Sequence, residues 1–326
     1  MTKTSSTRFQ AGFLASFVSA ITFSTLGIFA KLLYATGFSV ATALAWRFMV
    51  AALVLWTFVG IRARKRAMRG QKERLEPASR AQEPVGGHSA GARRGLLKLF
   101  LLGLLGFSPQ AGLFFLTVKI LDPGITSLLL YLYPSFVFLI GFVAGRHRSN
   151  RVQLFALALS LVGCLITFWT AGSYPLAGIV LGVVVAITYA AYLVVGDIML
   201  RDEDPIWATA VIMTAASFVY FAIALASGNF VLAISARQAL LVLCIAIIST
   251  CVPIVTLFLA MQRIGARDTS IVSTVEPIFT NLFSALLFGE LMTERRVLGG
   301  ALILAGVVML NLWGQSSAQR KIEAAS

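Results

Sequence analysis

Charge is what this sequence has least of. Charged side chains make up 12% of its 326 residues, and only 13 are acidic, where a water-soluble domain carries roughly a quarter. A chain this poor in charge cannot hydrate its whole surface, which excludes an ordinary soluble enzyme or binding module. Histidine is nearly missing. His88 and His147 both stand in basic stretches, so no imidazole pair offers a metal site or a general base for a nucleophile. The three cysteines, Cys164, Cys244 and Cys251, all fall in apolar runs. Cys244 and Cys251 lie two turns apart on one helix, too far for a disulfide. Neither a disulfide framework nor a cofactor or metal site is expected. No Walker lysine motif marks an ATP-driven pump, and no repeated carbonyl filter marks a channel.

What fills the chain is apolar surface, at 58% of residues. It comes in continuous runs of about 20 residues, the length of a helix that crosses a bilayer. The alternating ten-residue pattern of a membrane barrel does not occur. These runs predict an all-α integral membrane protein with ten spans, near 12–34, 40–61, 96–118, 123–145, 151–171, 176–200, 206–227, 238–261, 267–289 and 295–314. Residues 1–11 precede the first span, and Lys3 and Arg8 ahead of an apolar run resemble a signal peptide. The run is too long for a signal core and lacks a small-x-small cleavage site, so it reads as an uncleaved first span.

Lysine and arginine outnumber acids, giving a formal net charge of +14. The excess lies between apolar runs rather than on a nucleic-acid-binding face, so no nucleic-acid partner is expected. Residues 62–95 hold ten Lys and Arg among Gly, Pro, Ser and Glu, which predicts a disordered segment anchoring topology, with lipid binding or regulation as the other reading. With the N-terminus inside, that segment, Arg146, Arg148, Arg151, Arg201, Arg263, Arg267 and the tail 315–326 are cytoplasmic. Only Lys31, Lys119, Arg237, Arg295 and Arg296 then fall outside, a bias that places both termini on the cytoplasmic side.

The chain also repeats itself. Ala20-Ile21-Thr22-Phe23 matches Ala186-Ile187-Thr188-Tyr189, Pro109 matches Pro253, Thr126-Ser127 matches Thr269-Ser270, and Pro134 matches Pro277. The offset drops sharply only across the basic segment, an insertion in the first half. Two five-span repeats follow, 12–171 and 172–314. Five is odd, so the second repeat must be inverted relative to the first, with a site near mid-depth between them. The paired prolines Pro109, Pro253, Pro134 and Pro277 mark helix breaks, read as a shared hinge or cavity wall, although single membrane prolines are often only structural.

Within the ninth span Glu276 stands about 14 Å along the helix from Arg267, close to mid-depth. A carboxylate there is costly without a partner or water, and intramembrane acids default to function. Pro277 removes the helical partner of the Ser273 carbonyl at the same depth. Thr269, Ser273, Glu276, Thr280 and Ser284 form a polar stripe, fitting a cavity wall or interhelical hydrogen bonding. Arg47, about 10 Å into the second span, needs a substrate carboxylate, Glu276 or freed carbonyls as partner, or else fastens neighbouring helices. Under the repeat alignment Tyr133 takes the place of Glu276, making the cavity asymmetric. Gln110, Tyr131, Tyr189 and Tyr192 are further candidates for its lining. Lys31 aligns with Asp197, and each is placed to snorkel to its nearer interface. Small residues on the fifth span (Ala156, Ser160, Gly163) and the tenth (Gly299, Ala301, Ala305, Gly306) suit close packing.

Glu276-Pro277, then Gly289-Glu290-Leu291-Met292-Thr293, then Gly299-Gly300-Ala301-Leu302-Ile303-Leu304-Ala305-Gly306-Val307 resemble the closing signature of the EamA-type drug/metabolite transporters. The resemblance covers residues 12–314, while Leu26-Gly27 replaces the Trp-Gly often found in the family's first span. It implies a secondary transporter, not an enzyme, that exports a small amphipathic metabolite such as an amino acid by alternating access, as monomer or homodimer, with a proton as candidate coupling ion. Glu276, Arg47, Tyr133, Gln110 and Tyr189 are the expected binding or coupling residues. A nucleotide-sugar-type carrier and a membrane-embedded lipid-modifying enzyme are the competing readings.

Overall fold

The structure, a computed structural model, describes residues 3–75, 89–144, 151–168, 174–199, 203–228 and 230–314. Helix dominates the described residues, and they include no strand. The first half comprises α1 (Lys3–Ser24), α2 (Leu26–Ala35), α3 (Val40–Leu75), α4 (Ser89–Leu101), α5 (Ser108–Ile120), α6 (Pro123–Leu130), α7 (Tyr133–Val143) and α8 (Arg151–Phe168). The second comprises α9 (Leu176–Met199), α10 (Pro205–Ala226), α11 (Ala236–Ala246), α12 (Val252–Ser273), α13 (Glu276–Phe288) and α14 (Glu294–Gly314). Several of these join end to end, giving 8 stretches long and apolar enough to cross a membrane. The fifth expected span is the shorter apolar helix Arg151–Thr167, and the tenth is α14, which opens on Glu294-Arg295-Arg296.

Local chemistry sets the helix ends. Asp204 caps α10 by accepting from the backbone N–H groups of Ile206 and Trp207, both at 3.0 Å, and Pro205 needs no partner at the first turn. Ser235 and Gln238 form a reciprocal capping box at the start of α11. Gly289 closes α13 with φ at 66°, a left-handed conformation that glycine adopts without strain. Gly265, at φ 81°, turns the chain between the eighth and ninth spans.

The expected disorder over 62–95 is corrected in part. Helix α3 runs on to Leu75 and helix resumes at Ser89, because Arg, Lys, Ala, Met, Gln and Glu are all good helix formers, and basic charge does not itself break a helix. Residues 76–88, with Ser79 and His88, lie outside the described residues, as do His147 and the tail 315–326.

The repeat seen in the sequence reappears as matched irregularities. The third and eighth spans each widen into a π-helical turn, Leu102–Phe107 and Ile247–Cys251, just before Pro109 and Pro253. In both turns a hydroxyl bonds the carbonyl five residues back, Ser108 to Gly103 at 2.7 Å and Thr250 to Ile245 at 2.9 Å. The fourth and ninth spans break at 131–132 and 274–275, just before Pro134 and Pro277. The first span also breaks, at Thr25, whereas its counterpart α9 is continuous.

The most extensive packing joins the halves, α1 against α12, α3 against α10, α5 against α9 and α8 against α14. Phe48, Phe115, Leu44 and Ile245 are wholly buried at the centre of the largest apolar cluster. Helices α8 and α14 approach so closely that a methyl at Gly163 would come within 2.6 Å of the Gly299 carbonyl oxygen. One at Gly306 would come within 2.5 Å of the Ala156 carbonyl oxygen. Ala301 and Ala305, expected at this seam, face outward instead, one helical face away from the glycines.

Candidate functional site

The π-helical turn at Ile247–Cys251 sets the first element of the site. It turns Thr250 toward α3, where the hydroxyl accepts from Nε of Arg47 at 3.0 Å. The guanidinium lies over the rings of Phe48 and Phe115, 4.8 and 5.3 Å from their centroids, an arrangement that favours a cation in an apolar setting. Arg47 is only 4% exposed. Among the described residues no carboxylate pairs with it, and Nη1 and Nη2 meet no protein acceptor. Of the partners expected for Arg47, Glu276 is therefore set aside: the π-helical turn ties the guanidinium to α11 and α12, and Glu276 is engaged elsewhere.

Glu276 is the first residue of α13, immediately after the break in the ninth span. There its carboxylate faces the positive end of a short helix dipole. The hydroxyl of Tyr131 donates to Glu276 Oε2 at 3.0 Å and also reaches the Ser273 carbonyl at 2.6 Å. One phenol thus spans the two breaks, from the end of α6 to the start of α13. The Ser273 carbonyl, expected to be free beside Pro277, is occupied by this hydroxyl. Tyr131 had been expected only as lining; its pairing with Glu276 is invisible in the repeat alignment, which sets Tyr133 opposite Glu276.

Aromatic rings continue from this point. Tyr131 contacts Tyr133, Tyr133 meets Tyr189 edge to face at 4.8 Å, Tyr189 stacks on Tyr192, and Tyr192 reaches Phe107. They form one wall of a cavity of about 890 Å³, of a size for a metabolite. Glu276, Arg47, Tyr133, Gln110 and Tyr189 all line it. The four paired prolines do not; they stand just after the breaks, which leaves them the hinge reading rather than the wall. Helices α8 and α14 contribute no lining residue. Of the polar stripe, Thr269, Ser273, Glu276 and Thr280 line the cavity, while Ser284 bonds to Glu290 outside it.

That bond belongs to a second polar cluster. Lys31, expected to snorkel, pairs with Asp122 at 2.9 Å and Glu290 at 3.4 Å. Arg296, expected at the outer start of the tenth span, is 3% exposed and pairs with Glu290 at 2.8 Å while its Nε donates to Asn281 at 2.9 Å. No sequence pattern singled out Asn281 or Asp122, although Asn281 directly follows Thr280 of the stripe. The side chain of Asp197, the aligned counterpart of Lys31, lies outside those described.

A model of the EamA-like transporter family matches residues 10–169 and again 176–312. An uncharacterized transporter of Archaeoglobus fulgidus is 27% identical over 214 residues, 64% of this chain and 75% of that protein. The uncharacterized transporter YcbK of Bacillus subtilis is 29% identical over 221 residues, 64% of this chain and 70% of its own. A solved crystal structure, 15% identical, superposes with a TM-score of 0.59 over 93% of this chain and 98% of its own, a likeness of fold.

Proposed function

Because the chain belongs to the EamA-like transporter family, a family of multi-pass membrane transporters, we propose that it is a secondary exporter of small amphipathic metabolites, amino acids among them, working by alternating access in a bacterial inner membrane. The observation that carries this reading is the pair of charged groups in one aromatic cavity. Arg47 lines the cavity with two guanidinium nitrogens that no described residue engages, and Glu276 lines the same space. A ligand carboxylate fits the planar fork of Arg47. Its ammonium fits Glu276, and its apolar body fits the tyrosines and phenylalanines between. Glu276 holds either that ammonium or the coupling proton. Both roles need an acid beside water, which the cavity supplies.

The two halves are read as inverted repeats. Each carries a π-helical turn and a broken helix at matching positions, and the breaks meet beside Glu276, as expected where discontinuous helices flank a midplane site. Both termini are cytoplasmic in this reading, on the positive-inside rule. The test is reconstitution into liposomes loaded with a metabolite mixture, with mass spectrometry of what crosses, with and without a pH gradient. Passage of zwitterionic amino acids above protein-free liposomes is the expected result. Transport confined to nucleotide sugars, or none with well-folded protein, overturns the reading.

A further inference from the structure

The cavity stops at one end of the bundle against a layer of charge. Its last lining residues toward that end are Gly27 on α2, Ser127 on α6 and Thr280 on α13. The second polar cluster stands just beyond these residues on each of the three helices. Lys31 stands four residues beyond Gly27, Gly124 three before Ser127, and Asn281 directly after Thr280. Toward the other end the cavity extends to Gly196, Pro205 and the exposed Gln262. The charges therefore form a lid across one end only.

The cluster holds two cations and two acids, so it is neutral as a unit. Glu290 receives both Lys31 and Arg296. Arg296 Nε donates to Asn281, whose amide donates to the Gly124 carbonyl at 3.2 Å and to the Pro277 carbonyl at 2.8 Å. Lys31 Nζ also lies 4.4 Å from the ring centre of Phe288. Lys31 to Glu290 and Asn281 to Gly124 join the two halves, Lys31 to Asp122 ties α2 to the loop before α6 within the first half, and Arg296 ties α14 to α13 and to the loop between them. Half of the cluster is dry, with side-chain exposures of 4% at Glu290 and 2% at Arg296, and half is wet, at 32% for Lys31 and 36% for Asp122. A fully buried network would cost too much to break once its charges lost their partners. One that already touches water can exchange its partners for hydration as it parts.

We propose that Lys31, Asp122, Glu290, Arg296 and Asn281 form a latch that holds this end of the cavity shut and must break for the cavity to open there. The latch rests on the transport reading, since only alternating access requires both ends to open in turn. It also touches the site. Asn281 bonds the carbonyl of Pro277, next to Glu276, so a change at the Glu276 carboxyl can reach the latch within one turn of α13.

The experiment uses full-length chain with Cys164, Cys244 and Cys251 replaced by Ala and a reporter cysteine, Ser127→Cys, at the closed end. Sealed vesicles of both orientations are treated with a membrane-impermeant maleimide. With the latch intact, labelling occurs from one side of the membrane. Glu290→Gln leaves a neutral group between two cations, and labelling from the second side is expected to rise about tenfold. Asp122→Asn, at the wet edge and less demanding on folding, is expected to give a smaller rise in the same direction. Unchanged one-sided labelling in folded Glu290→Gln and Asp122→Asn chains would overturn the latch. No substrate is needed, so the readout stands apart from transport: two-sided labelling in a chain that moves nothing in liposomes would strike the transport reading alone.

Discussion

Replacing Arg47 by Lys keeps a positive charge and removes the fork. In the structure Nε is fixed by Thr250 at 3.0 Å, which leaves Nη1 and Nη2 for a ligand. A lysine ammonium has its three donors on one nitrogen, so it cannot hold Thr250 and at the same time offer the ligand carboxylate the planar two-point geometry. Loss of one hydrogen bond to a charged group is worth about 1.5–3 kcal/mol. At about 1.4 kcal/mol per decade, that is a roughly 10- to 140-fold rise in the substrate concentration for half-maximal exchange. Thr250→Val leaves the guanidinium intact and removes its anchor, together with the hydroxyl bond to the Ile245 carbonyl; at about 1 kcal/mol for the anchor the expected rise is roughly fivefold. The two changes act on one contact, so the double variant should fall short of their product. The assay is exchange in liposomes of an amino acid against the amine left by removing its carboxylate. The parent should favour the amino acid, and Arg47→Lys should lose most of that preference. Unchanged preference in Arg47→Lys, with a lowered unfolding temperature, would make Arg47 a fastener between helices and refute the anion site.

Glu276→Gln preserves size and hydrogen bonding but cannot ionise: loss of gradient-driven accumulation with exchange retained assigns Glu276 to coupling, loss of both assigns it to binding, and parent-like accumulation across the pH range in liposomes makes it a packing residue. Tyr131→Phe deletes the donor to both Glu276 and the Ser273 carbonyl, and thermal unfolding in detergent should register a loss of about 1–3 kcal/mol. Gly299→Ala would set a methyl 2.5 Å from the Gly163 carbonyl oxygen, an overpacked backbone contact costing about 1–3 kcal/mol in the same measurement. Gly300→Ala would meet only the tip of Leu128 at 3.2 Å, and should cost less. A cysteine at Ser79 in the basic segment should react with an impermeant reagent only once the inner face is opened; labelling in sealed cells would reverse the orientation.

Which stretches are helices was legible because apolar runs and helix breakers are local. Glu276 and Arg47 were legible as lining because a charge in an apolar run has few other uses. Their partners were not, since Tyr131 and Glu276 are joined across 145 positions and contact at that range leaves no trace in spacing. The repeat alignment even pointed to Tyr133, the residue equivalent in sequence, whereas the contact is made by Tyr131 on the other side of the break. Lys31 is a related case: snorkelling follows from depth alone, whereas its partners Asp122 and Glu290 stand in loops that only the fold brings near. The basic segment was misjudged on charge and composition where helix propensity governed, as α3 continues through it to Leu75.

The seam between α8 and α14 bears on how such a molecule can move. One of these helices comes from each half, and their glycines bring backbone against backbone with only the small Ser160 and Thr167 hydroxyls beside them. Neither helix takes part in the cavity. Sliding one past the other would push carbonyls and Cα atoms into one another's space, so relative sliding of the halves along this seam is costly. If the latch opens as proposed, the seam would serve as its fulcrum, with the rotation taken up by the broken helices at 131–132 and 274–275. Tyr131 stands at one of those breaks and Glu276 directly after the other, so such a rotation would be delivered to both.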